Sequence, residues 1–267
     1  IIVEGGESRL MALFKGQNLE KIGPVRSSRH YFLDYALEND AIYVHYGWSP
    51  QAQYDISNLG VNNINGISES ESSFWRVKDK RAPHNVATST AKILSIAERK
   101  GYKTTSTKES VLKYVTDEVE LTDGQSAEKI TIPYSYSNDV EYTYDATTKR
   151  YQRYSKGVKE TDWSTGENIT TKNIIITFAK NSVLNDGENK DRQTLSNIGT
   201  LNGYYITNGK AIKITCEKTS RSAQTVYKDL DGNEIKVNDG NTYVQICPIN
   251  AKVTIEGAEE TVTEDVD

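Results

Sequence analysis

"AIYVHYGWSPQAQYDISNLGVNNINGI", residues 41–67, decides how the first part of the chain is read. "AIYVHYG" is rich in β-branched and aromatic residues, which favours a strand. Ser49 then offers an N-cap, Pro50 suits the first helical position, and Gly60 follows the helix end. "NINGI" returns to a short strand. The reading is therefore strand, helix, strand. Gly47 and Ser49 also fit half of a nucleophile elbow, but Gln51 stands where the second glycine belongs. Capping is the sufficient role for Ser49.

Upstream, "IIVEGG" and "SRLMALF" read as strands. "GPVRSSRHYFLDYALEND" (23–40) carries Phe32, Leu33, Ala36 and Leu37 at helical spacing, which predicts a helix over 27–39 with Ser27 as N-cap. Arg26 and Arg29 then bracket that cap. Each cation there opposes the helix dipole by about 0.3–1 kcal/mol, a cost that an arriving anion would offset. Downstream, "VATSTAKILSIAERKGY" reads as a helix from Thr88 or Ser89, stopped by Gly101. Strand and helix alternate throughout this part, as in an α/β layered structure.

The character changes near residue 120. Strand-like runs follow, among them "ITIPYSY", "VEYTYD", "RYQRYSKG", "NIIITFAK", "GYYITNGKAIKITCEK" and "GNTYVQICPI". Asn208-Gly209, Asp231-Gly232 and Asp239-Gly240 mark turns, and "YKDLDGNEIKV" and "EYTYDATTKRYQRY" read as hairpins. The expected fold class is α+β: an N-terminal α/β layered domain (1–120), a β-rich C-terminal domain (121–257) and an acidic tail (258–267). Cys216 and Cys247 both lie in strand-like segments. They either form a disulfide, worth about 3–4 kcal/mol in the chain-entropy model, or pack as two small buried hydrophobes.

The net charge of −5 argues against nucleic acid or an anionic membrane as a global partner. No apolar run is long enough to span a bilayer. The chain opens inside a strand without an initiator methionine, which reads as a piece of a longer precursor. Seventeen tyrosines against four phenylalanines suit a wet, sheet-rich extracytoplasmic protein.

All three histidines fall in the first third, each beside an expected helix start: His30 after Arg26 and Arg29, His45 before Ser49, and His84 in "RAPHN" with Arg81 and Asn85. In an open α/β sheet such junctions gather at one edge, where helix N-termini offer N–H groups to anions. Arg26, Arg29, Arg81, Asn85 and Ser49 are the candidate ligand-binding residues. Bland readings stand beside this one: a His30–Asp34 pair on one helix face, a satisfied structural His45, and a simple turn at 81–85. No CxxC, HExxH, EF-hand, GxGxxG or P-loop pattern occurs, so no metal or cofactor is implied.

"IIVEGGESRLMALF", "IGPVRSSRHYFLDYALENDAIYVHYGWSPQA" and "RAPHN" resemble the N-terminal domain of the YerB-like lipoproteins of Gram-positive bacteria. "GYYITNGKAIKITCEK" and "YKDLDGNEIKVNDGNTYVQICP" resemble that family's C-terminal domain. The resemblance implies two domains and a protein held outside the cytoplasmic membrane by a lipidated N-terminal cysteine. It supplies no mechanism, because the family has no assigned activity. Two expectations follow. The first is a binding module for an anionic envelope ligand or an envelope protein. The second is an envelope hydrolase or transferase acting on a phosphate-bearing or glycan substrate. There His45 or His84 would be general acid/base, Asp34 would orient His30, and the arginines would stabilise developing charge.

Overall fold

The computed structural model describes residues 2–4, 7–188 and 190–257; the acidic tail lies outside the described residues. A hairpin of β1 (Ile2–Glu4) and β2 (Glu7–Arg9) opens the chain. Then come α1 (His30–Glu38), β3 (Tyr43–His45), α2 (Pro50–Asn58), β4 (Asn63–Asn65), β5 (Trp75–Arg76), β6 (Val86–Ala87) and α3 (Thr90–Arg99). β3 and β4 run parallel in the register Val44↔Ile64, joined across α2. The chain at 22–28 laces these pieces together. Ile22 bridges Thr88, and the Val25 N–H donates to the Val86 carbonyl. Tyr46 N–H donates to the Arg26 carbonyl, and Ser28 bridges Trp48 in parallel.

This lacing moves the first helix. Ser27 donates its hydroxyl to the Tyr46 carbonyl at 3.2 Å, and Ser28 N–H reaches the Gly47 carbonyl at 2.9 Å. Both serines are thus extended backbone, and α1 starts at His30 rather than at 27. Arg29, not Ser27, is the N-cap, and it makes no side-chain capping bond. α2 starts as its sequence indicates, and α3 starts at Thr90, just after the expected Thr88 or Ser89, with Ser89 as its N-cap. Ser49 Oγ accepts from Ala52 N–H at 3.3 Å, and Ser89 Oγ from Lys92 N–H at 3.4 Å.

After the crossing strands β7 (Tyr114–Val115) and β8 (Gln125–Ser126), the chain builds two sheets. The first is a meander of β9 (Lys129–Ser135), β10 (Asn138–Asp145), β11 (Arg150–Ser155) and β12 (Val158–Lys159); β13 (Thr170–Thr171) also pairs with β11, and the segment Thr254–Glu256 lies along β9. The second centres on β14 (Asn173–Val183), flanked by β15 (Gln193–Ser196) and β16 (Gly199–Thr207). β17 (Lys210–Lys218) and β18 (Val226–Lys228) continue it, β19 (Val237–Asn238) pairs with β7, and β20 (Thr242–Pro248) lies parallel to β14. Asn208 and Gly209 both have positive φ (50° and 72°), so they close the tight β16–β17 hairpin.

Alternation explains the run of isoleucines on β14. Ile174 and Ile176 face the meander with Ile130, Ile132, Val140 and Tyr142; Ile175 faces the other way with Tyr205, Ile214 and Tyr227. A strand covered on both faces has no need of polar residues, and all three isoleucines are fully buried. The same geometry decides the cysteines. Cys247 lies in the cluster with Ile174, whereas Cys216 lies in the cluster with Ile175. Their strands, β20 and β17, are separated by β14 and β16. Both thiols are free and buried, so of the two readings the pair of small buried hydrophobes holds and the bridge does not. The architecture is mixed α+β with a β-rich C-terminal part, and the three α-helices among the described residues all precede residue 100.

Candidate functional site

The residues expected to meet at one edge divide among three places. His45, at the end of β3, is 1% exposed. Its Nδ1 lies 2.8 Å from the Gly47 carbonyl and its Nε2 lies 3.0 Å from Asn63 Oδ1. Its ring stacks on Tyr43 at 5.4 Å. Burial holds its pKa below the ordinary histidine value against the pull of both acceptors. Nothing in this arrangement leaves a ring nitrogen for a substrate.

The second place is the α1 start, which turns toward the C-terminal sheets. His30 Nε2 sits 3.0 Å from Thr194 Oγ1 on β15. Asp34 does not orient His30: its oxygens accept from Arg221 Nε at 2.6 Å and Asn197 Nδ2 at 3.0 Å. Arg29 is buried and donates to the Ser28 carbonyl at 3.0 Å. Arg221 also reaches Asp55 Oδ2 of α2 at 2.7 Å and the His30 carbonyl at 3.0 Å. This cluster joins elements to each other and does not face an open site.

The third place keeps part of the expected convergence. Arg26 Nη1 donates to the Pro83 carbonyl at 2.5 Å. Pro83 lies in a turn closed by His84 N–H on the Arg81 carbonyl, and both Arg81 and His84 are exposed. The stretch "RVKDKRAPH" (76–84) also brings Lys78 and Lys80. Its one acid, Asp79, accepts from Trp163 Nε1 at 2.7 Å, which lowers its pKa. Lys21 and Lys80 lie over the Trp163 ring at 4.1 and 4.8 Å. The turn is thus pinned to the C-terminal part while it presents cations outward. Lys78, Lys80, Lys21 and Trp163 were not among the expected residues. The charge run at 76–81 was readable, whereas the indole 82 or more residues downstream was not, because no local pattern links it to the turn.

Two candidate ligand residues are corrected. Asn85 spends its amide inside the protein, accepting from Arg76 at 2.7 Å and donating to the Val77 carbonyl at 3.4 Å. Ser49 is fully buried as the α2 cap and is closed to a ligand.

A separate cleft of about 240 Å³ opens beside α2 and the carboxyl ends of β3 and β4. Trp48, Gln53, Asn63, Asn65, Ser68 and Glu69 are among its lining residues. None of the histidines lines it. Trp48 follows the β3 end and Asn65 ends β4, so the strand–helix–strand reading pointed to this region without naming these side chains.

The chain is similar to a protein of Bacillus subtilis (strain 168) named "Putative lipoprotein YerB", with 31% identity over 255 residues, which cover 92% of this chain and 73% of the relative. It is also similar to the crystal structure of the YerB protein from Bacillus subtilis, with a TM-score of 0.78 at 30% identity, covering 90% of this chain and 80% of the other. Two family models match, described as the N-terminal domain (residues 1–103) and the C-terminal domain (residues 130–244) of a protein of unknown function, DUF3048. With both matches in chain order and the fold shared along nearly all of its length, the chain belongs to the DUF3048 family, to which its likeness to YerB had pointed.

Proposed function

We propose that this chain is an extracytoplasmic, membrane-tethered binding module that holds an anionic ligand of the cell envelope on the basic turn around Arg26 and Arg81. The observation that carries this reading is the Arg26–Pro83 contact, which brings two separate cationic segments to one surface. Arginine suits the task because its planar fork matches carboxylate and phosphate. The name of the Bacillus relative supports a lipid-tethered location outside the membrane. Binding is favoured over catalysis because His45 is buried with both nitrogens engaged, His30 is tied to Thr194, and His84 stands on an exposed turn. An acidic face of an envelope protein would use the same cations.

The test is titration of the whole chain with a soluble poly(glycerol phosphate) and with inorganic phosphate. Binding of the polymer should weaken steeply with added salt, because exposed charges are screened beyond about 8 Å at physiological ionic strength. Replacing Arg26 and Arg81 together with alanine should weaken it by about tenfold, equivalent to 1.4 kcal/mol. Polymer binding that ignores both salt and the double substitution would rule the surface out.

A further inference from the structure

We infer that the cleft beside α2 is a saccharide-binding subsite, in which one pyranose ring lies against Trp48 while Asn65 and Glu69 hold its hydroxyls. The inference is independent of the basic turn. Gly47, at φ 79°, breaks the strand alternation at the β3 exit: His45 and Trp48 face each other at 5.6 Å, whereas Tyr46 packs on Phe74 at 6.3 Å and under Arg76 at 5.7 Å.

Three observations converge on a hydroxyl-bearing ring. The first is the aromatic wall. Trp48 is 37% exposed and lines the cleft, while its buried side is braced by His45, itself stacked on Tyr43. A braced indole with an open side is a platform for the C–H face of a sugar, since its ring is apolar and its orientation is already fixed.

The second is an amide with one end unused. Asn65 is nine-tenths buried. Its Oδ1 accepts from Gly47 N–H at 2.9 Å and Ile67 N–H at 3.2 Å. Two donors on one atom fix which end of the carboxamide is oxygen. The Nδ2 end therefore carries two N–H donors at a cleft-lining residue, and it makes no hydrogen bond to any of the described residues. Nδ2 is not sealed from solvent, so water can serve it, and an acceptor on a ligand in the cleft can take that water's place.

The third is an adjacent acceptor. The Glu69 side chain is 7% exposed and lines the same cleft. Its Oε2 holds Arg99, while Oε1 makes no hydrogen bond among the described residues. A donor and an acceptor beside an aromatic face match neighbouring hydroxyls on one ring, each of which both gives and takes a proton. Ser68 and Gln53 add groups of the same mixed character. Glu69 is already paired with Arg99 and Lys100 also lines the cleft, so charge does not choose the guest; the amide and hydroxyl lining beside Trp48 disfavours a wholly apolar one.

The experiment is two-dimensional ¹⁵N–¹H NMR on the whole chain, following the Trp48 indole and the Asn65 carboxamide. The probes are glucose, galactose, N-acetylglucosamine, maltotetraose and chitotetraose. At least one should shift both signals saturably, with half-saturation at or below about 10 mM. Tighter binding of a tetrasaccharide assigns the subsite to a glycan strand; equal binding of the monosaccharide assigns it to a terminal or free sugar. Asn65→Asp keeps the oxygen that receives Gly47 and Ile67 but removes the donors, and should weaken binding more than tenfold. Trp48→Ala should do the same, and Trp48→Phe should cost only a few-fold. Arg26→Ala with Arg81→Ala should leave sugar binding unchanged, which separates this site from the anion surface. The inference fails if no probe shifts either signal. It also fails if binding survives Asn65→Asp and Trp48→Phe within twofold.

Discussion

His45 shows how burial can remove a residue from chemistry. Two acceptors favour its charged form, yet the absence of water around it outweighs them and lowers its pKa from the ordinary 6.5. The folded state therefore binds fewer protons than the unfolded chain once the pH falls below 6.5. Stability is complete above that value and is lost as the pH falls through it toward the folded pKa, by at most about 1.4 kcal/mol per pH unit. Urea unfolding at pH 7.5 and at pH values down to 5 should show this decline. His45→Gln should be less stable at neutral pH but should lose that part of the slope. The cysteines give a second test at this scale. Burial pushes both thiols up to about 12, so neither is a thiolate at neutral pH. Ellman's reagent should find two thiols in unreduced, unfolded protein and almost none while the chain is folded; a count of zero after unfolding would restore the bridge.

At the scale of elements, α1 is held less by its own sequence than by the strands beside it. Lys218 Nζ, on β17, meets Glu38 Oε2 at 2.7 Å, and the two side chains are 2% and 4% exposed. Thr225 adds N–H and hydroxyl bonds to the same carboxylate, at 3.1 and 2.7 Å. Lys218→Met should cost about 3–5 kcal/mol, because it strands a buried charge rather than merely deleting a pair. Arg221→Ala removes the partner of Asp34 and Asp55, but Arg221 is 32% exposed and water can reach the gap. Its cost should be the smaller of the two, about 2–3 kcal/mol, and denaturant melts of both variants rank them directly. These contacts mark where the sequence stopped being legible. Ser49, Pro50 and the Asn208-Gly209 turn act within a few residues of themselves, so their reading matched the structure. Asp34 and Arg221 are 187 residues apart, and neither alternation nor helical spacing can pair them. His30 and Asp34 share a helix, but the long-range partner took Asp34. The helix start moved for the same reason, since pairing with 46–48 kept Ser27 and Ser28 extended. At the candidate sites, the arginine-bearing segments were legible as charge. The Trp48 cleft was not, because burial of Asn65 and the loss of Ser49 to capping emerge only once the chain is packed.

For the whole molecule, the question is whether the segments matched by the two family models are separable. The apolar face of α1 argues that they are not. Tyr31, Phe32, Leu33 and Ala36 share one cluster with Ala179 of β14 and Ile246 of β20, with Leu195 and Leu201 packed against it. Both buried carboxylates of the helix, Asp34 and Glu38, take their cationic partners from beyond residue 210. A chain of residues 1–120 alone would expose that apolar face to water, at about 25 cal/mol for each Å² uncovered. It would also keep only small local clusters, such as Ile64, Phe74, Val86 and Ile96, to offset its conformational entropy. The expected outcome is that residues 1–120 give a poorly dispersed NMR spectrum and no cooperative thermal transition, whereas the whole chain unfolds in one step with coincident fluorescence and circular dichroism. Adding residues 121–257 in trans should restore dispersion to the α1 signals, because it returns Arg221, Lys218 and the Ala179–Ile246 surface together. If residues 1–120 instead melt cooperatively at the temperature of the whole chain, the shared cluster is incidental and each segment carries its own stability.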